Sequence, residues 1–162
     1  MNPTTQHLAK HLHGVFFGGN WTDSNLKMQL KDVTWQQSTL KFEDLNSIAT
    51  LVYHINYFIE VASRVLEGGP LQGNDTESFN HPPIKSEDDW NQFTSQVFTS
   101  AEHFSNLIKE VPEELLWQDF KDPKYGNYYR NIQGIIEHTH YHLGQIPLLK
   151  KMIQVFYTKN AK

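Results

Sequence analysis

The chain has 162 residues, 38% of them hydrophobic and 20% charged, which is enough apolar material for one buried core and predicts a single domain over residues 1–162. Fourteen Lys and Arg stand against 18 Asp and Glu, a formal net charge of −4, so a generic electrostatic grip on nucleic acid or on an anionic membrane is excluded. There is no cysteine, which removes disulfides, thiolate zinc sites, cysteine nucleophiles and iron–sulfur clusters and leaves any metal chemistry to nine histidines and the carboxylates.

The first 20 residues carry one lysine, Lys10, three histidines and no sustained apolar run. They do not read as a signal peptide, and the expected location is the cytoplasm. No stretch approaches the roughly 18–20 apolar residues of a membrane span.

Apolar spacing predicts four main helices. Leu8, Leu12, Val15 and Phe16 mark the first, from about Thr5 to Phe17, stopped by Gly18-Gly19. A linker follows with an amphipathic piece around Ser24–Val33. The second helix is expected from about Phe42 to Leu66, ending at Gly68-Gly69-Pro70. Its two apolar rows (one through Ile48, Val52, Ile55 and Ile59, the other through Leu51, Phe58 and Val61) cover about half of its circumference, so it packs against more than one neighbour.

Residues 68–85 hold three Pro and three Gly without periodicity. A connection of that length can cross the molecule end to end, so the helices it joins need not be antiparallel. Ser86 then caps a third helix, with Asp89 at its third position, whose stripe runs from Trp90 through Val97 and Phe104 to Val111. A short helical piece at Glu113–Trp117 and a turn at Lys121–Gly126 lead to the fourth helix, from about Asn127 to Tyr157. Pro147 inside it costs a backbone hydrogen bond and should bend it. No strand pattern and no repeat is present, and the fold class is all-α.

Two histidine pairs have the i, i+4 spacing that places both rings on one helix face. His7 and His11 sit at the polar edge of the first helix and read as solvated surface residues. His142 falls within the apolar arc of Ile132, Ile135, Ile146 and Leu149, with His138 at its margin. His140 is rotated about 200° from His138 and cannot join it. His54 borders the apolar face of the second helix among Leu51, Phe58 and Val61. Alone it reads as a core histidine with an ordinary partner. Three imidazoles buried together need something to satisfy their donors and acceptors, and a divalent transition metal such as Zn, Ni, Fe(II) or Cu would do so, with coordination positions left open.

Two stretches carry a resemblance. Phe17-Gly18-Gly19-Asn20-Trp21 with Asn46–Ile55, and the block Gly134…His138-Thr139-His140-Tyr141-His142-Leu143-Gly144-Gln145-Ile146, together resemble the DinB/YfiT-like superfamily from about Val15 to Ile153. The resemblance implies a four-helix bundle with a long crossover between helices two and three. It implies a metal held by His54, His138 and His142, and a homodimer. It leaves the reaction open among metal-dependent hydrolysis, thiol-dependent S-transfer or isomerisation, and unknown activities.

The functional expectation is a metal-dependent enzyme acting on a small molecule, as a hydrolase or as a transferase using a low-molecular-weight thiol. Gln145 stands as a partner of the metal-site histidines or a packing amide, Tyr57 or Tyr141 as a substrate hydrogen-bond donor, and Asn131 as a further polar group two turns before His138. No Asp or Glu shares the histidine faces, since Glu137 and Glu60 point elsewhere on their helices. Glu102 and His103 read as solvated. The alternative is a non-catalytic dimeric stress-response or small-molecule-binding protein, for which the 13% aromatic content would line a pocket or an interface.

Overall fold

A computed structural model describes residues 3–160. It contains helices α1 (Pro3–Phe17), α2 (Leu26–Leu30), α3 (Trp35–Thr39), α4 (Ile48–Leu66), α5 (Glu87–Glu110), α6 (Glu113–Leu116) and α7 (Tyr128–Asn160), with 3-10 turns at Glu77–Phe79 and Pro123–Tyr125. Among the described residues there is no strand, only an isolated antiparallel bridge between Asp119 and Asn127. No helix among them is long and apolar enough to cross a membrane.

The helix ends follow from their capping residues. Ser86 Oγ accepts the backbone N–H of Asp89 at 3.1 Å, and Asp89 in return accepts that of Lys85 at 2.8 Å, which sets the start of α5 as the sequence predicts. Helix α4 begins six residues later than expected. Ser47 Oγ accepts the N–H of Thr50 at 3.1 Å, while Glu43, inside the predicted span, has φ +48°, a left-handed backbone that a helix cannot contain. The linker before it also holds the unpredicted α3, whose cap is reciprocal: Thr34 accepts from the N–H of Gln37, and the Gln37 side chain accepts from that of Thr34. At the far end of α4, Gly68 takes φ +88° and its N–H reaches Val65 O, while Gly69 N–H reaches Arg64 O at 2.8 Å. That closure needs a residue without a Cβ penalty at positive φ. Helix α7 continues through Pro147.

The four long helices contact one another in a ring, α1 on α5, α5 on α4, α4 on α7 and α7 on α1. Their directions follow from which residues meet. Thr4 bonds Glu113, Ser105 bonds Ala9 O, and Phe17 packs on Phe98, so α1 and α5 are antiparallel. Tyr53 stacks on Phe93, Glu60 meets Ser100, and Glu67 meets His103, so α4 and α5 are parallel. Val65 clusters with Tyr128, Phe58 packs on His138, and His54 meets His142, so α4 and α7 are antiparallel. A parallel α4–α5 pair requires the connection between them to travel back along the roughly 28 Å of a 19-residue helix. The connection is long enough to do so.

Phe16, Phe104, Ile55, Ile59, Ile136 and Ile146 are fully buried at the centre of this ring. Each contributes about 1.5–3 kcal/mol relative to exposure. Trp90 Nε1–H donates to Val33 O at 2.8 Å, which ties the linker carrying α2 and α3 to α5.

Candidate metal centre

His54, His138 and His142 converge, as their spacing and the apolar faces around them suggest. Helix α4 supplies the first ring and α7 the other two, one turn apart. Each offers a ring nitrogen, and these atoms all lie within 4.8 Å of one another. His138 Nε2 lies 2.9 Å from His54 Nε2 and 3.0 Å from His142 Nε2. Metal–nitrogen bonds of about 2.1 Å place neighbouring ligand nitrogens roughly 3.0–3.4 Å apart, close to the two spacings made by His138.

The outer nitrogens decide which inner ones carry lone pairs. Ser78 Oγ donates its one proton to Asp75 O at 2.5 Å. His54 Nδ1, 2.7 Å from that same Oγ, must therefore donate to it, and His54 Nε2 is left as a bare lone pair. His142 Nδ1–H donates to Gln145 Oε1 at 2.8 Å, and its Nε2 is bare in the same way. His138 Nε2 faces both lone pairs and can carry at most one proton, so one contact lacks a proper hydrogen bond however that proton is placed. A cation held by three lone pairs removes the conflict, and the residues present fit a divalent transition metal.

Electrostatics favour the ligating form. His54 and His142 are buried, and His138 is partly buried. Phe79 stacks on the His54 ring at 4.0 Å, and Phe58 stands edge-on to His54 and His138 at 5.1 and 5.2 Å. Burial, followed by the neighbouring His142 and His54, pushes His138 down to about 4. Burial first, then His142, lowers His54, and burial lowers His142. All three are neutral near pH 7, so protons do not compete for the nitrogens.

The triad forms one end of a cleft of about 1190 Å³. Asn131 lines it, with its side-chain amide donating to Asn127 O and Tyr125 O at 2.8 and 3.1 Å. Tyr141 lines it too, with its ring 4.8 Å from that of His142 and two-thirds exposed. Tyr57, expected as a substrate hydrogen-bond donor, is not among the residues that line the cleft. Its hydroxyl accepts the Asn74 N–H at 2.8 Å, because the returning connection passes over that face of α4, and the tyrosine pins that connection.

The remaining histidines stay apart. His7 is exposed, His11 faces His140 across α1 and α7 with ring centroids 5.7 Å apart, and His103 pairs with Glu67 on the surface at 2.7 Å. Glu102 is exposed. Glu60 accepts from Asn56 and Ser100, and Glu137 from Gln133, so neither helix carboxylate turns to the triad.

Sequence reasoning missed the contribution of the crossover. Ser78, Asp75 and Phe79 come from residues 68–85, where Asn74 Oδ1 accepts the Thr76 N–H in a small Asx turn ahead of the 3-10 turn. An Asn two residues before a Thr in a Gly-rich stretch is the local signal that could have located the turn, though not its partner. Asp75 lines the cleft and its charge favours the protonated form of His54, so a carboxylate from outside both helices borders the site without belonging to the group of three ligand nitrogens.

Comparison with protein-family models, curated proteins and solved structures finds no match to the chain. The functional reading therefore rests on geometry.

Proposed function

We infer that the chain is a metal-dependent enzyme of the DinB/YfiT-like kind, a four-helix bundle in which His54, His138 and His142 hold one divalent transition metal at the end of a small-molecule cleft. The observation that carries this reading is the meeting of three Nε2 atoms whose partner nitrogens are occupied at His54 and His142. The parallel α4–α5 pair and its long connection support the same kinship. When bound, a Zn, Ni or Fe ion supplies Lewis acidity and lowers the pKa of a water or a low-molecular-weight thiol toward neutrality, the chemistry of a hydrolase or of a thiol-dependent transferase.

The chain's own residues set the rest. Ser78 and Gln145 orient the rings. Phe58 and Phe79 keep bulk water from them, which strengthens electrostatic interactions at that end of the cleft. The carboxylate of Asp75, on the cleft wall, can take up a proton from a nucleophile. Tyr141 and Asn131 offer polar contacts along the open side. The reading includes a homodimer, supported by Leu148, Val155, Phe156 and Tyr157, which leave apolar surface exposed on the last turns of α7. Light scattering tests that element, and a monomeric mass removes it.

Metal analysis of purified protein tests the central claim. About one tightly held Zn, Ni or Fe per chain, lost in His138→Ala and His142→Ala, is expected, together with turnover of an ester, an amide or a thiol–electrophile pair that disappears in the same variants. A folded chain that retains no metal overturns the reading. Tight metal without turnover across such a panel favours the binding-protein alternative.

A further inference from the structure

The cleft extends well beyond the triad, and its two ends differ in chemistry. Its α7 wall is one continuous face, from Arg130 and Asn131 through Gly134 and Ile135 to His138 and His142. Arg130 is eight residues before His138, about 12 Å along the helix axis. Between them the walls are apolar, formed by Val61, Ala62, Leu71, Phe120 and Ile135, and Gly134 leaves the floor open, since a Cβ built there meets nothing within 4 Å.

At the end away from the triad the cleft is lined by Arg130, Lys121 and the Lys124–Asp122 ion pair, closed at 2.9 Å. That pair neutralises itself. Among the described residues, no acceptor pairs with the side chain of Arg130 or Lys121. Arg130 is also positioned. Asn127 Oδ1 caps its N–H at 2.8 Å, and its side chain lies against Gly126, where a Cβ would stand 2.9 Å from Cδ and 3.3 Å from Nη1. Gly126 needs no side chain for its own backbone, at φ +78°, and the vacancy is what the arginine arm occupies. A chain of net charge −4 thus places two uncommitted cations at one end of an apolar trough, with Asp75 as the only acidic lining residue at the other end.

We propose that Arg130 and Lys121 bind an oxyanion of the ligand, a carboxylate or a phosphate. The ligand is then an elongated molecule with an anionic terminus at this end, an apolar middle about six to ten bonds long, and the group to be transformed beside the histidines. The guanidinium fork matches both oxyanions in a bidentate way, and Lys121 adds a point charge. Calling this molecule a substrate rests on the metal-dependent reading above, but the anion site itself needs no metal.

Calorimetric titration of the full-length, chelator-stripped protein at low salt tests the proposal, with octanoate, octyl phosphate and 1-octanol as probes. Either anion is expected to bind about tenfold or more tightly than the alcohol, a charge-assisted contact of the usual strength, and the tighter of the two identifies the oxyanion. Arg130→Gln should remove most of that preference, Lys121→Gln a smaller part, and both should leave the melting temperature within about 2 °C, as exposed substitutions do. Equal affinity for alcohol and anions, no binding of either anion, or an unchanged preference in Arg130→Gln overturns the proposal. Zinc binding by the same preparation is measured separately. Anion preference without zinc affinity would overturn only the metal reading, and zinc affinity without anion preference only this one.

Discussion

Replacing Ser78 by alanine isolates the role of the crossover in metal binding. Ser78 is fully buried, and its hydroxyl both accepts a hydrogen bond from His54 Nδ1–H at 2.7 Å and donates to Asp75 O at 2.5 Å. Alanine leaves a buried donor without an acceptor, at a cost of about 1–3 kcal/mol. His54 can escape that cost by moving its proton to Nε2, which removes the lone pair a metal needs. Either route weakens binding by about 10–100-fold, the usual effect of losing a partner behind a metal-bound histidine. Gln145→Ala should cost less, because Gln145 is only half-buried and water can replace its carbonyl. Competition titration of zinc against a chromophoric chelator measures both. A Ser78→Ala affinity within threefold of the wild type, or a larger loss in Gln145→Ala than in Ser78→Ala, would refute the tautomer argument.

Metal should stabilise the fold by mass action. At a free concentration about 1000 times its dissociation constant it adds about 4 kcal/mol, or roughly 8–16 °C in melting temperature for a chain of this length; scanning calorimetry with and without chelator measures it, and a shift that persists in His142→Ala would place the ion elsewhere. The metal-free protein should lose stability on acidification. His138 is held at about 4 against an ordinary value near 6.5 in the unfolded chain, so between about pH 6.5 and 4 the unfolded state binds the extra proton and folding weakens as pH falls, with no further effect of this group below about 4. Urea midpoints in chelator across that range check it, and a flat profile from pH 7 to 5 would contradict the burial of the triad. Gly134→Ala should raise stability by about 0.5–1 kcal/mol by helix propensity, because its Cβ has room. Gly134→Leu should fill the cleft floor, cutting small-molecule binding or turnover at least tenfold while zinc stoichiometry stays at the wild-type value.

The long helices were legible because burial imposes the 3.6-residue period and because their caps use side chains with one obvious purpose, Ser86 above all. Failures occurred where tertiary contacts assign the role. Phe42 extends the apolar pattern ahead of α4, yet it belongs to a non-helical segment and packs edge-on against Phe156 at 5.9 Å; its apolarity serves the end of α7. Helix α3 has few apolar residues to show a period, and its existence depends on the reciprocal Thr34–Gln37 cap, a signal that an apolar count overlooks.

The same division runs through the metal centre. Spacing within a helix is a local property, so His138 and His142 could be paired from the chain alone. His54 joins them only through the argument that three imidazoles buried together need a shared partner, because alone at the edge of its apolar face it reads as a core histidine. Tautomers are a different kind of fact. Whether an imidazole offers its inner nitrogen to a metal depends on what holds the proton on the outer one. For His142 that partner is three residues along the same helix, within reach of a sequence argument. For His54 it is Ser78, 24 residues away on a connection with no periodicity of its own. The position of Ser78 follows from the parallel run of α4 and α5, which makes the crossover travel back along α4 past the His54 ring. The histidine pair within one helix is therefore readable from helical geometry, while the third ligand and the protonation of all three are decided by topology. Lengthening or shortening residues 68–76, with every histidine left in place, should accordingly weaken zinc binding about as much as Ser78→Ala does.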